Sequence, residues 1–388
     1  MRVEPKPGLD TGIFLDVIEN GDAMARTKLA LQLAGLMCAE DSAKADVALV
    51  VPVVLKLSVD PVKEVRRTLA NGLAGLVTLH ADILFSIVAD DDDVALPFLA
   101  ATPALNPWHM LAVLRVGDVA RQQTVVLRSD LSREALAYTV KSAPLEVCLR
   151  LFENPALHLD DRAYHGLYMR FGQAPEMLEL LLGRPNLPLD IRILQAKRAS
   201  NRMQQLMAER GWMNDNDACE LVADAEETAI LRILVEASNE ELARAIPFLV
   251  SKKMLTPSII LRAAAIGEMK MVQWSLAHLA GVSLARAHEL MLGRGLMGVK
   301  SLHGKSGLPQ SCYGLLMAAC DVMKDAREEG LPLDPESFGR RLIEALMTRY
   351  ENMPSAERSK NLEFIGRFAE DRVRKIAKRL RADLVRAA

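Results

Sequence analysis

At 388 residues the chain is long enough for two or three compact domains or for one elongated array, and its net charge of −2 with 25% charged side chains gives no global attraction to nucleic acid or an anionic membrane. Half of the residues are hydrophobic but only 4% are aromatic, so Ala, Leu, Val and Met must fill the core, as suits closely packed helices. The five cysteines (Cys38, Cys148, Cys219, Cys312, Cys320) form no CxxC pair, which argues against a disulfide framework or a structural zinc and predicts reduced, mostly buried thiols.

Residues 1–12 read as a disordered lead. No apolar stretch follows the charges there, so no secretory signal is visible. Helical periodicity begins near Phe14, and residues 23–39 place Leu29, Leu33 and Leu36 on one face. Residues 45–59 are the most apolar stretch. They are too short to span a bilayer and carry Asp46 and Lys56, which predicts a buried helix, no transmembrane segment and a soluble cytoplasmic protein.

A short turn at Asp60-Pro61 then leads into a second helix bearing Val65, Leu69 and Leu73. This unit resembles a HEAT repeat. The resemblance implies that Asp60 caps the second helix and that Arg66 reaches towards the neighbouring turn. Locally, Asp60 can accept from otherwise unpaired first amides, and Pro61 suits the first helical turn. Asp90–Asp93 is a run of four acids that lacks the alternation and glycine of a calcium loop. It reads as a solvated turn in which Asp92 or Asp93 caps the next helix.

Four leucine-anchored segments follow: TPALNP, RSDLSR, NPALHL and RPNLPL. Their leucines, Leu105, Leu131, Leu157 and Leu187, stand 26, 26 and 30 residues apart. A period of this size predicts stacked pairs of short helices, with each leucine plugging the gap between successive units. On that reading, truncating Leu131 costs about 2–5 kcal/mol and weakens the whole array. Ser132, Asp160 or Asp161, and the prolines 144 and 175 mark helix starts within these units. After residue 199 the period is lost. Longer helices are expected, broken near Gly211 and Ser238, then one starting at Thr256-Pro257, with Gly267, Gly281, Gly293 and Gly295 as stops. Residues 328–335 form the best linker, followed by a helix over 336–350 and a last long helix from 355.

The DPVKEVRRTLANGLA unit, the leucine-anchored repeats and the stretch LTPSIILRAAAIG…LAHLAGVSLARAHELM…GLMGVKSLHGKSGLP together resemble the bacterial family called domain of unknown function 2336. The similarity covers roughly residues 20–325. It implies an all-helical, HEAT-like array in the bacterial cytosol and implies no activity. The expected architecture is therefore an all-α solenoid of short HEAT-like hairpins over residues 13–199, a helical cap domain over 200–330, and a C-terminal helix pair over 336–388.

Gly304-Lys305-Ser306 ends like a phosphate-binding loop, but Val299 stands where the first glycine belongs, so a glycine-rich turn is the better reading. Arg294, Lys300, His303 and Lys305 can instead converge on an anion or an acidic helix. His158, Asp161 and His165 have a helical spacing, but three ligands with support are not evident, and no cofactor or metal is expected. No HExxH or G-x-S-x-G occurs. The final helix carries eight bases against three acids over residues 367–386, including Arg367, Arg374, Lys378 and Arg381. That face suits an anionic membrane surface, nucleic acid, a helical partner including a second copy of the chain, or simply solvent. The expected function is a non-enzymatic protein–protein scaffold that binds a peptide or helix. Nucleic-acid binding is a weaker alternative because the repeats balance their charges, and an enzyme cradled by the array is a third.

Overall fold

The computed structural model describes residues 11–39, 44–293, 296–330, 334–348, 355–368, 377–378 and 381. Among these the chain is all-helical and contains no strand. It divides into two compact units, one ending at Leu187 and the other beginning at Pro188.

The first unit is built from α1 (Thr11–Asn20), α2 (Ala23–Cys38), α3 (Lys44–Ser58), α4 (Lys63–Leu73), α5 (Ala81–Val88), α6 (Asp92–Ala101), α7 (Pro107–Val116), α8 (Val119–Val126), α9 (Arg133–Ser142), α10 (Leu145–Leu151), α11 (Asp161–Phe171) and α12 (Pro175–Leu182). Consecutive helices pair, and the even-numbered helices stack as α2 on α4, α4 on α6, α6 on α8, α8 on α10 and α10 on α12. The odd-numbered helices form a second layer in which α1, α3 and α5 stack in series, as do α7, α9 and α11. Helices this short are marginal alone, so the stack is what stabilises them. Their starts are specified locally: Asp22, Asn106, Asp118, Ser132 and Asp160 each accept from the amide three residues on. Helix α3 buries Val50, Val53, Val54 and Leu57 but leaves Leu49 exposed, so the apolar stretch is amphipathic in place.

Two expectations for this unit change. Helix α4 starts at Lys63 with Val62 as its N-cap, so Asp60 lies ahead of the cap and accepts only the Val62 amide (2.8 Å). The main partner of Asp60 is instead Arg26, from α2, at 2.7 Å. Likewise α6 already begins at Asp92, so neither Asp92 nor Asp93 is its cap; Asp91 is the N-cap, with no side-chain capping bond.

The second unit comprises α13 (Leu189–Arg210), α14 (Asp215–Val235), α15 (Asn239–Ser251), α16 (Pro257–Ala265), α17 (Met269–Leu279), α18 (Leu284–Leu292), α19 (Leu296–Ser306), α20 (Tyr313–Glu329), α21 (Pro335–Thr348) and α22 (Ser355–Phe368). Helix α13 runs through the boundary expected after residue 199, because neither a proline nor a glycine interrupts it before Gly211, which adopts the left-handed conformation. Ala263 and Ala264 of α16 and Ala318 and Ala319 of α20 are fully buried, and these two helices pack together. Helices α21 and α22 are not a separate pair. Phe338, Leu342, Ile343, Leu346, Leu362 and Ile365 join the same apolar cluster as α16, α17 and α20. Gly267 shows how tightly they join. Its φ is +84°, and a Cβ there would lie 3.0 Å from the Phe338 ring.

Candidate functional site

At three of the four anchor leucines, successive units of the array are tied together by the residue three places before the leucine. These residues are Arg128, Asn154 and Arg184, whereas Thr102, in the same place before Leu105, only accepts from the Ala104 amide (3.2 Å). The Arg128 guanidinium donates to the Leu99 carbonyl at the end of α6 (2.6 Å) and pairs with Asp130 (2.8 Å). Asn154 donates to the carbonyls of Val126 and Arg128 (2.8 Å each) at the end of α8 and accepts from the Ala156 amide (2.9 Å). Arg184 donates to the Phe152 carbonyl at the end of α10 (3.1 Å). Each reaches back to the last carbonyls of the preceding even-numbered helix, which have no partner within their own helix. Leu105 and Leu187 are buried beside these turns, whereas Leu131 and Leu157 are only half-buried. The junctions are therefore closed by a polar tie as much as by a leucine plug. The recurring R/N/R-x-x-L spacing was visible in the sequence, but the varied residue types hid its common task.

Asp90–Asp93 is likewise more than a solvated turn. Arg66 pairs with Asp90 (2.8 Å), reaches Asp91 (3.2 Å) and donates to the Asp60 carbonyl (2.8 Å). Lys63 pairs with Asp93, and Arg121 pairs with Asp92 (3.0 Å) while donating to the Val88 carbonyl (2.7 Å). Burial pushes the Asp90 carboxyl up, but the Arg66 guanidinium and the Asp91 amide more than offset this and hold it below the usual carboxylate range. The bases that meet these four acids come from the chain itself.

Between α9 and α11 lies an open groove of about 910 Å³. Its floor is apolar: Leu136 and Val140 of α9 face Ala163 and Met169 of α11. Gly166 lets the two helices approach, since a Cβ there would come within 2.6 Å of Val140 Cγ1. Arg133, Lys141 and Arg162 line the groove, are exposed, and make no side-chain hydrogen bond or ion pair with any described residue. Arg170 is committed to the carbonyls of Thr139, Val140 and Ala143 at the end of α9. The one acid in the lining, Asp160, is the N-cap of α11. A second groove of about 610 Å³ lies between α5 and α7, lined by Phe85, Val88, Val113 and Val116, with Asp118 and Arg121 paired to each other at its edge. A large apolar side chain stays exposed at each: Met169 is 79% accessible at the first and Val116 88% at the second.

Of the residues singled out from the sequence, Lys300, His303 and Lys305 do not converge. Arg294, Arg374 and the side chain of Arg367 lie outside the described residues. Gly304-Lys305-Ser306 lies inside α19 and not in a turn, since the left-handed stop is Gly307 (φ +72°). Lys300 and Lys305 are exposed but about 140° apart around that helix. His303 turns inward, donating from Nε2 to the Pro309 carbonyl (3.1 Å) with its ring edge on Tyr313. Lys378 is exposed, and Arg381 pairs with Glu363 at 2.8 Å. His158 lies before α11, and no cluster of potential metal ligands occurs among the described residues. Burial pushes the Cys148 thiol up to about 11 and Cys320 up to about 12, so neither is a thiolate near neutrality. Cys148, Cys312 and Cys320 are buried, in line with the expectation that most of the thiols lie inside, whereas Cys38 and Cys219 are exposed. No helix among the described residues is long and apolar enough to cross a membrane.

Residues 94–356 match the model of a family described as "Uncharacterised protein conserved in bacteria (DUF2336)". The chain belongs to this family. The matched region takes in all four anchor leucines and both helices of the α9/α11 groove, whereas Asp60 and Arg66 precede it. No curated protein and no solved structure matches the chain.

Proposed function

We propose that the chain is a non-enzymatic protein-binding scaffold of the bacterial cytoplasm, holding a partner peptide or helix in the grooves of its first unit. The reading is carried by the two apolar-floored grooves between helices of the odd-numbered layer, with Met169 and Val116 almost fully accessible beside them. Exposed apolar surface of this kind carries a cost in solubility and is a recurrent mark of a protein interface. Rigid ties such as Asn154 and Arg128 hold the groove walls in register, which lowers the ordering cost when a partner docks.

The test is affinity capture from the native bacterium with the wild-type chain and with Met169→Glu and Val116→Glu. Lys378→Gln with Arg381→Gln serves as a surface control. The reading expects specific partners to be lost with a groove variant and kept with the control. Retention of every partner by both groove variants overturns it.

A further inference from the structure

We propose that the α9/α11 groove is a docking site for an acidic amphipathic helix, an inference that rests on the protein-binding reading above and gives its partner a chemistry. Three observations support it. First, both walls present one helical face. Arg133, Leu136, Val140 and Lys141 recur at the spacing that aligns side chains along α9, as do Arg162, Gly166 and Met169 along α11. Two side-by-side helices with such faces leave a trough that suits a third helix, laid in by its apolar stripe.

Second, the charge is one-sided. The lining holds four guanidinium or ammonium groups against one carboxylate, Asp160, which caps α11; Arg170 is bound to carbonyls, and Arg133, Lys141 and Arg162 make no side-chain hydrogen bond or ion pair with any described residue. This contrasts with the α5/α7 groove, where Arg121 already pairs with Asp118 and Asp92. It contrasts also with the Asp90–Asp93 turn, where the chain supplies its own counter-charges. Elsewhere in the first unit, then, charges near the grooves are satisfied internally, while here they are left for something else.

Third, the cations are placed to read length. Arg133 and Arg162 sit at the N-terminal ends of their helices, where the helix dipoles add positive potential, and Lys141 sits two turns further along α9, about 12 Å away. A docked helix with carboxylates about eight residues apart on either side of a Leu/Met stripe would meet both ends at once. Three separated cations around an apolar floor do not form the continuous stripe that tracks a phosphate backbone, so a protein helix fits the groove better than nucleic acid.

A display library of helical peptides about four turns long, diversified on one face, tests the proposal by selection on the immobilised full chain. Dissociation constants of enriched peptides are then measured by fluorescence anisotropy on the wild type, on Arg133→Glu with Arg162→Glu, and on Met169→Glu. All three positions are exposed, so circular dichroism should show the fold unchanged. The expected result is enrichment of Asp/Glu around an apolar stripe, with affinity falling about tenfold or more in the double charge reversal and in Met169→Glu. Enriched neutral peptides that are sensitive to Met169→Glu but indifferent to charge reversal would overturn the acidic partner while leaving the protein-binding reading standing. Basic peptides, or no enrichment at all, would overturn the docking site. If no enriched peptide responds to any groove variant, the wider reading loses its support as well. A DNA duplex that binds the wild type with steep salt dependence, lost on charge reversal, would assign the groove to nucleic acid and overturn the proposal.

Discussion

Asn154→Ala is the sharpest perturbation of the array. Asn154 is buried, and its side chain makes three hydrogen bonds of 2.8–2.9 Å, two of them to carbonyls at the end of the preceding helix α8. Alanine leaves the Val126 and Arg128 carbonyls and the Ala156 amide without that partner. A net hydrogen bond is worth about 1 kcal/mol, and an orphaned buried group costs about 1–3 kcal/mol. Some of these groups sit near enough to the surface to recover a water, so the expected loss is about 2–4 kcal/mol. Asn154→Asp is predicted to be worse near neutrality, because a carboxylate can only accept and would face two carbonyls. Its folded-state pKa would be raised, so its deficit should shrink as pH falls and the carboxyl gains a proton to donate. Urea denaturation followed by circular dichroism, with peptide-level hydrogen exchange over residues 119–151, reads both effects. A loss under about 0.5 kcal/mol for Asn154→Ala, or an aspartate no worse than alanine, would refute the tie as a stabilising element.

Leu105→Ala should cost about 2–5 kcal/mol, and Leu131→Ala distinctly less, since Leu105 is buried and Leu131 half-buried; equal losses in urea midpoints would contradict that ranking. The depressed Asp90 pKa adds stability that is complete above the ordinary carboxyl value near 3.8 and is lost as pH falls through the lower folded value. Asp90→Asn should therefore cost about 1.5–3 kcal/mol at pH 6 and flatten the decline below about pH 4, as measured by denaturation across pH. A disulfide-exchange titration should find Cys38 and Cys219 reactive in the folded chain and Cys148, Cys312 and Cys320 silent until denaturant is added.

Much of the architecture was legible because it is written locally. Ser132, Asp160 and Thr256 are small acceptors at helix starts, and each caps the helix that follows it. The period of the anchor leucines announced stacked pairs because each short hairpin needs a neighbour. What stayed hidden depends on contacts distant in sequence. Asp60 turned to Arg26, 34 residues away, and so does not cap its own helix. The acids at 90–93 found Lys63, Arg66 and Arg121, which no local window displays. His303 looked like part of a basic surface, but its ring is amphipathic and packs on Tyr313. The α9/α11 groove escaped notice for the opposite reason. Arg133, Lys141 and Arg162 are ordinary solvent-facing bases in sequence, and only the folded lining, with a single carboxylate among its charges, shows them unmatched among the described residues.

The claim that the grooves exist to receive protein is tested most directly by photo-crosslinking inside the native bacterium, with a benzophenone amino acid placed in turn at Met169, at Val116 and at the exposed, polar Glu176 of α12. The account predicts discrete adducts with a small set of proteins from positions 169 and 116 and none of these from position 176. Equal, diffuse labelling from all three positions would contradict it.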